Sequence, residues 1–311
     1  MGPMRWLVLA VLAWAAPRDA NAQEPVTLRL GTPAIEGSRY MQDIAALSGE
    51  IERRTRGDVR IEWVANGQLG DEQAMVELIA RGKLDGGGFS ETGLIAAVPD
   101  MAVWRYPGLF RTYDEVDRAT AALDPTIREL FDKRDLVFAM WADLGFAHVF
   151  ATEPTASLRE VLSMAGPWIT MPLDGKLFEA IASGARAWAI PPLYVLAIAK
   201  VSARTMSRLP YRYVVGGLVI SKPAWSRLSS QHQTVVLEIC RTWQPRLRKS
   251  WRRETERGIA ALEKTGVRIQ APSDPELATF FEASSRSRTA HASKSGFAEL
   301  TAKVVAAIGS K

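Results

Sequence analysis

One cysteine and three histidines are all that 311 residues provide of the side chains that most often cross-link chains or hold metals. A single thiol excludes an internal disulfide and a four-thiolate zinc site, so Cys240 reads as a small buried apolar side chain and stability has to come from core burial alone. His148, His232 and His291 stand at no metal-ligand spacing from one another or from the cysteine, and no Gly-x-Ser-x-Gly elbow occurs. Hydrolase and metalloenzyme readings therefore lack their chemistry. The run Gly86-Gly87-Gly88 has neither the spacing nor the lysine of a phosphate loop, and reads as close backbone approach at a cleft. No internal repeat or low-complexity segment occurs, and no apolar stretch approaches the ~20 residues that a membrane-crossing helix needs. What remains, 47% apolar and 23% charged residues, is the composition of a chain that buries a core.

Acidic residues are outnumbered 34 to 39, giving a net charge of +5 and a basic pI near 9.4. The signs are interleaved along most of the chain, which is not the footprint of a nucleic-acid binder. The N-terminus supplies a compartment instead. Met1 to Arg5 is short and basic, Trp6 to Ala16 is apolar, and Ala20-Asn21-Ala22 has the small-x-small form of a cleavage site before Gln23. Residues 1–22 read as a secretory signal peptide, and the expected mature chain is an exported periplasmic monomer, not an integral membrane protein. No cysteine follows the cleavage site, so no lipid anchor is expected.

The mature sequence alternates strand and helix patterns. Val26 to Leu30 alternates at period two, Tyr40 to Arg54 places Met41, Ile44, Leu47 and Ile51 on one helical face, Val59 to Val64 is again a strand, and Asn66-Gly67 turns the chain. Glu72 to Arg81 is a second amphipathic helix, Leu84 to Phe89 a glycine-weakened strand, and Tyr113 to Leu123 with Pro125 to Lys133 give more helix. This order predicts a parallel sheet flanked by helices. Leu136 to Trp141 and Ala147 to Ala151 read as two strands on either side of Ala142-Asp143-Leu144-Gly145. A second unit follows, with Leu158 to Met164, Lys176 to Ser183 and Pro192 to Val201 helical, and Trp168 to Met171 and Ala187 to Ile190 extended. Val214 to Ser221 is a strand broken at Gly216-Gly217, and Ser229 to Thr265 is a long helix in which Pro245 predicts a kink or break near Gln244.

Two features invite functional readings and have structural ones beside them. His148 sits on an expected strand near a lobe junction and could line a cleft, but reads better as a satisfied structural histidine. Arg241 to Arg257 carries seven basic residues with Trp243 and Trp251 among them. In an exported protein that suggests anionic lipid or an acidic partner surface, against the plainer reading of a solvated face balanced by Glu254 and Glu256.

Seven segments, in order, carry a family resemblance: Leu30-Gly31-Thr32-Pro33 with Glu36-Gly37-Ser38, Asn66-Gly67-Gln68-Leu69-Gly70-Asp71-Glu72, Leu84-Asp85, Tyr106 to Arg111, Gly145-Phe146-Ala147-His148, Ile169-Thr170-Met171-Pro172 and Ile220 to Trp225. The mature chain resembles the extracytoplasmic solute receptors of tripartite ATP-independent periplasmic (TRAP) transporters, the DctP-like family, as a divergent member. The resemblance implies an α/β fold of two lobes, a type II-like periplasmic binding protein. Each lobe is a mixed, mostly parallel sheet flanked by helices, with a long kinked bridging helix and the ligand closed between the lobes. The expected division is residues 23–142 and 214–245 for lobe I, 143–213 for a shortened lobe II, and 246–311 for C-terminal helices across both.

Three departures shape the expected site. The family's carboxylate-gripping Arg falls at Thr170, a second basic residue falls at Ala147, and the family's Val-Asp-Gly segment after the helix at Pro192 to Lys200 is missing with about twenty residues around it. A buried carboxylate needs a charge-assisted partner, and one hydroxyl is a poor substitute. With Trp168, Trp188, Met171, Phe146, Phe89 and Trp104 expected nearby, the cleft reads as apolar with a few polar points, although each aromatic is also an ordinary core residue. The expected site is Thr170, Trp168, Trp188, Phe146, Ala147, Met171, Phe89, Ser90, Glu36 and Trp104.

The sequence thus predicts a non-enzymatic receptor that needs no cofactor and no metal. It would capture a neutral or hydrophobic small molecule by hinge closure and pass it to membrane transporter subunits. The alternative is a periplasmic scaffold or lipid shuttle with a degenerate cleft, working through a helical-repeat partner. An enzyme would need an acid–base pair, and only His148 with Asp143 or Glu91 offers one.

Overall fold

The protein is described by a computed structural model over residues 24–155, 157–165, 175–197 and 203–309. The expected signal peptide, the extended segment Trp168 to Met171 and the end of the helix expected to run to Val201 lie outside these residues. The first strands and helices follow the hydrophobic period. Strand β1 (Val26–Gly31) leads to helix α1 (Arg39–Arg54), whose Ser38 hydroxyl caps the Met41 amide at 3.3 Å and whose buried face is Ile44, Leu47 and Ile51. Strand β2 (Val59–Val64) pairs with β1 in parallel from Val26↔Val59 to Gly31↔Val64. The Asn66-Gly67-Gln68-Leu69-Gly70 segment is a turn built on positive φ at Asn66, Gly67 and Gly70, and it delivers Asp71 as the cap of α2 (Glu72–Ala80). Strand β3 (Gly86–Ser90) lies parallel to β1 and runs directly into α3 (Glu91–Ala97). A 3-10 turn over Pro99–Arg105 and the long α4 (Tyr113–Asp132) follow.

Two long strands then traverse the molecule. β4 (Leu136–Ala151) is a single strand where the sequence suggested two. Register shifts at Phe138/Met140, Asp143/Gly145 and Ala147/Val149, with Gly145 at φ +88°, let the chain bulge without ending. After α5 (Leu158–Ala165), α6 (Gly175–Ala182), β5 (Ala187–Ile190) and α7 (Pro192–Ala197), β6 (Thr205–Ser221) returns antiparallel to β4 along its whole length. Gly216 and Gly217 do not break β6. A Cβ at Gly216 would meet the Phe89 carbonyl at 2.5 Å and one at Gly217 the Phe138 ring at 2.5 Å, so glycine is what lets β6 lie flat there.

The short α8 (Lys222–Trp225), the 35-residue α9 (Ser230–Lys264), β7 (Arg268–Gln270), α10 (Asp274–Ser295) and α11 (Ala298–Gly309) complete the chain. α9 passes through Pro245 as one helix, and α4 likewise passes through Pro125. In both, buried apolar residues on each side of the proline hold the helix against the sheet, outweighing the lost hydrogen bond. The strand order is β2-β1-β3-β6-β4-β5, with β7 beside β6. β1 pairs in parallel with β2 and β3, and β6 with β7, while β3–β6, β4–β6 and β4–β5 are antiparallel. The sheet is therefore mixed. In one lobe its two faces are covered by α2, α3, α4 and α11 on one side and by α1 and α9 on the other. At the far ends of β4 and β6, two smaller clusters around Phe150, Trp188 and Met206 and around Val149, Ala189 and Leu209 form the core of the second lobe.

Candidate ligand-binding cleft

The carboxyl ends of β1 and β3 meet the amino ends of α2 and α3 where β6 crosses between lobes, the place at which open α/β sheets bind ligands. Glu72, the first residue of α2, is buried there and accepts from the Ser90 amide at 2.6 Å, the Ser90 hydroxyl at 2.5 Å and the Gly93 amide at 2.9 Å. Burial pushes its carboxyl up, those hydrogen bonds pull the other way, and the neighbouring Glu91 charge pushes it up further. The three bonds fix the β3–α3 junction and so fix Glu91, the first residue of α3.

Glu91 is fully buried and holds two arginines. Its Oε1 accepts from Arg212 Nη1 and lies 3.4 Å from Arg105 Nε, while its Oε2 has no hydrogen-bond partner among the described residues. Arg212 stands on β6 directly opposite Ala147 on β4, and only 1% of its side chain is exposed. Residues paired this way project from the same face, so the small Ala147 leaves room for the long arginine. Among the described residues, Arg212 Nε and Nη2 are buried without a hydrogen-bond partner. Tyr40 of α1 and Tyr194 of α7 complete the surroundings. Burial raises both phenols, Glu72 raises both further, and Tyr194 also feels Tyr40 and Glu91. Groups from α1, α2, α3 and β6 thus face a helix of the other lobe.

A second charged cluster sits at the middle of the crossing strands. Arg252 of α9 donates from Nε to Asp143 at 2.7 Å and, through both Nη atoms, to Asp117 of α4 at 2.9 and 2.6 Å, with Arg248 3.0 Å from Asp117. Its guanidinium lies 4.2 Å from the centre of the Tyr113 ring. Part of the basic run on α9 is therefore internal, since Arg248 and Arg252 pair with acidic residues of other elements, whereas Arg257 is an exposed partner of Glu254 on the same helix. A groove of about 660 Å³ opens between α4 and α9, lined by Asp124, Arg128, Trp141, Arg241 and Gln244, away from the Glu91–Arg212 pair.

The structure brings two of the expected site residues to this cluster: Ser90, which holds Glu72, and Ala147, which faces Arg212. Phe146 packs on Tyr113 and Tyr213 at 5.1 and 5.2 Å. Phe89 and Trp104 are buried in the first lobe's core, Trp104 between Phe110 and Trp141. Trp188 is fully buried opposite Phe150 in the second lobe's core. Glu36 is exposed, its amide bonded to Asn66 Oδ1 at 2.7 Å. Trp168, Thr170 and Met171 lie outside the described residues. His148 is buried, its Nδ1 2.8 Å from the Leu209 carbonyl, and burial lowers its pKa to about 4. Sequence reasoning missed Glu72, Arg105 and Arg212. Its one available signal was Arg212 itself, the single charged residue in the stretch from Leu209 to Ile220.

Among the described residues, no cluster of three or more His, Cys, Asp or Glu side chains could hold a metal, and no helix is long and apolar enough to cross a membrane. Residues 30–161 and 189–295 match the profile of DctP, the bacterial extracellular solute-binding protein family 7. A solute-binding protein of Verminephrobacter eiseniae is 31% identical over 135 residues, 42% of this chain and 39% of that one. The sialic acid-binding periplasmic protein SiaP of Vibrio cholerae is 29% identical over 79 residues, 25% of this chain and 24% of SiaP. These matches span well under half the length of the curated relatives. The fold extends much further. The sugar acid binding protein DctPAm of Advenella mimigardefordensis, in complex with galactonate, superposes with a TM-score of 0.79 at 15% identity, covering 92% of this chain and 98% of that one. A TRAP periplasmic solute-binding protein of Polaromonas bound to D-erythronate superposes at 0.77 with 20% identity, covering 92% and 99%. At such identities the superpositions show the fold alone.

Proposed function

The chain belongs to the DctP family of bacterial extracellular solute-binding proteins, and from that premise we propose that it is the extracytoplasmic receptor of a TRAP-type transporter, closing its lobes on a small organic acid and handing it to membrane subunits. The observation that carries this reading is the buried polar cluster of Glu72, Ser90, Glu91 and Arg212, set where both lobes meet. A neutral or hydrophobic ligand, which the sequence favoured, fits such a cleft less well: it would leave Arg212 Nε and Nη2 and Glu91 Oε2, buried polar atoms with no hydrogen-bond partner among the described residues, without a charged group to pair them. The acids bound by the galactonate and D-erythronate receptors support the same choice.

On this reading residues 1–22 are removed on export. Residues 23–142 with 214–245 make one lobe, 143–213 the other, and the helices of 246–311 brace both. β4 and β6 serve as the interlobe connection, with Gly145 at the middle register shift of β4 to absorb the closing motion. Ligand favours the closed form only to the extent that it binds that form better.

Native mass spectrometry of the protein purified gently from the periplasm tests the proposal. A bound acid that is lost on denaturation is the expected result. The second reading, a scaffold with a self-satisfied cleft, draws on one observation: Glu91 already neutralises Arg212 from within. A protein that is always empty, and whose melting temperature responds to no solute, would favour that reading and overturn the receptor.

A further inference from the structure

We propose that the outer face of α9, through Arg246, Lys249 and Arg253, docks the protein on a bilayer surface of anionic phospholipid headgroups. The inference goes beyond the receptor reading, which concerns the cleft, and no solute enters its test.

Seven basic residues fall between Arg241 and Arg257, and the fold sorts them. Arg248 and Arg252 turn to Asp117 and Asp143, and Arg257 is held by Glu254. Arg246, Lys249 and Arg253 are exposed and recur at i, i+3 and i+7, which sets them in one row on the side of α9 away from its buried Leu247, Trp251 and Ile259. A self-balanced solvated face would pair this row with Glu254 and Glu256. Instead Glu254 takes Arg257 at 3.4 Å and Glu256 takes Arg208 of β6 at 2.8 Å, and among the described residues no carboxylate lies within ion-pairing distance of the row. Like charges three and four residues apart repel along a helix, a cost that an anionic surface converts into attraction.

What accompanies the charges identifies the occupant. A protein interface is built around apolar anchors and is poor in lysine. Here Thr242 and Ala260 are the exposed residues that continue the row at its two ends, and the large apolar side chains exposed among the described residues, Ile35, Leu196 and Val305, are none of them on α9. Phosphate headgroups need no apolar anchor: they accept from guanidinium and ammonium groups alike, and they present a plane of charge that a straight row can lie against. The helix runs unbroken through Pro245, so the row is carried on one rigid element. Trp243 adds an interfacial mark. It is half-buried beside the row, with the Arg246 guanidinium 6.0 Å from its ring centre, and such an amphipathic ring suits headgroup level.

Co-sedimentation of the full mature protein with vesicles tests the proposal, using phosphatidylcholine alone and phosphatidylcholine with about one-third phosphatidylglycerol, at ~0.02 M and ~0.3 M salt. The expected result is binding to the anionic vesicles at low salt, at least ~10-fold weaker at high salt, and none to the neutral ones. Arg246→Gln, Lys249→Gln and Arg253→Gln should each weaken it by ~5-fold, and the three together by ~100-fold. A control triple, Lys83→Gln, Arg134→Gln and Arg268→Gln, removes the same charge from exposed positions elsewhere and should lose less than ~5-fold. All six side chains are exposed, and an unchanged melting temperature verifies that both triples are folded. Equal binding to both kinds of vesicle, equal losses in the two triples, or no vesicle binding at all overturns the proposal. Retention on immobilised polyglutamate without binding to either vesicle, lost in the α9 triple and kept in the control, would assign the row to an acidic protein surface and overturn lipid docking. The receptor reading is untouched by any of these results, since it stands or falls with a bound solute.

Discussion

Arg252 Nε donates to the Asp143 carboxylate at 2.7 Å, at the point where β4 slips register between Asp143 and Gly145. The bond joins α9 to the middle of a crossing strand, and the same guanidinium reaches across to Asp117 on α4. Burial pushes the Asp143 carboxyl up, and Arg252 is the strongest opposing pull. Arg252→Gln therefore strands a buried carboxylate, and urea denaturation near pH 7.5 should show a loss of about 2–4 kcal/mol. The sign with pH follows. Without Arg252 the folded-state pKa of Asp143 rises further above its unfolded value, so the variant's deficit should shrink as the pH falls and the group protonates. A deficit constant between pH 7.5 and 4.5 would show that Asp143 is not the stranded group.

His148 sets the opposite slope. Its imidazole is buried against the Leu209 carbonyl, and burial holds its pKa near 4, with Arg208 pushing the same way, against an ordinary value of 6.5. The unfolded chain takes up its proton first, so the contribution is complete above about pH 6.5 and is lost as the pH falls toward 4, amounting to about 3 kcal/mol. His148→Asn removes the titrating group. Its stability should be lower near neutral pH, and its decline between pH 6.5 and 4 should be shallower than that of the parent. Parallel curves would mean that other groups carry the acid sensitivity.

The glycines of β3 are not equivalent. A Cβ at Gly86 would stand 2.2 Å from the Val219 carbonyl and 2.9 Å from the Ile220 Cα, both backbone atoms of the neighbouring strand, which cannot swing aside. At Gly88 the nearest atoms are the Trp63 ring at 3.4 Å and the Tyr40 hydroxyl at 3.5 Å, ordinary side-chain contacts. Gly86→Ala should cost about 3 kcal/mol or abolish folding, and Gly88→Ala should stay within about 1 kcal/mol of the parent in the same denaturation assay. Equal costs would place the constraint in strand propensity, not in the close approach of β3 to β6.

The elements that sequence reading located best are those whose signal is local. The buried face of α1, the span of α9 and the strand β5 follow from hydrophobic period and flanking caps. β4 and β6 were cut in two because Gly145 and Gly216-Gly217 are breakers when only near neighbours are considered. Their real partners, Thr255 beside Gly145 and Phe89 and Phe138 beside the pair, come from other elements. The same blindness hid the cleft's cation. The family resemblance places its basic residues at Thr170 and Ala147, but Ala147 stands opposite Arg212 of the adjacent strand, and register between strands is not written in either one. The tryptophans misled for the converse reason: Trp104 and Trp188 have the composition of a binding wall and the burial of core residues.

Cys240 gives the simplest check on the interior of α9. Its thiol is fully buried among Val236, Ile239 and Leu247, and burial pushes its pKa up to about 12. Only the thiolate attacks a disulfide reagent, and here both the ionisation and the access are denied. The folded protein should leave an aromatic disulfide reagent unreacted at pH 8 over minutes, and one equivalent should react at once in 8 M urea. The slow native rate then measures local opening of α9 over Cys240, and a helix that runs unbroken through Pro245 predicts that this opening tracks global unfolding as urea is raised. Fast native labelling would mean that the proline splits α9 into two independently opening halves.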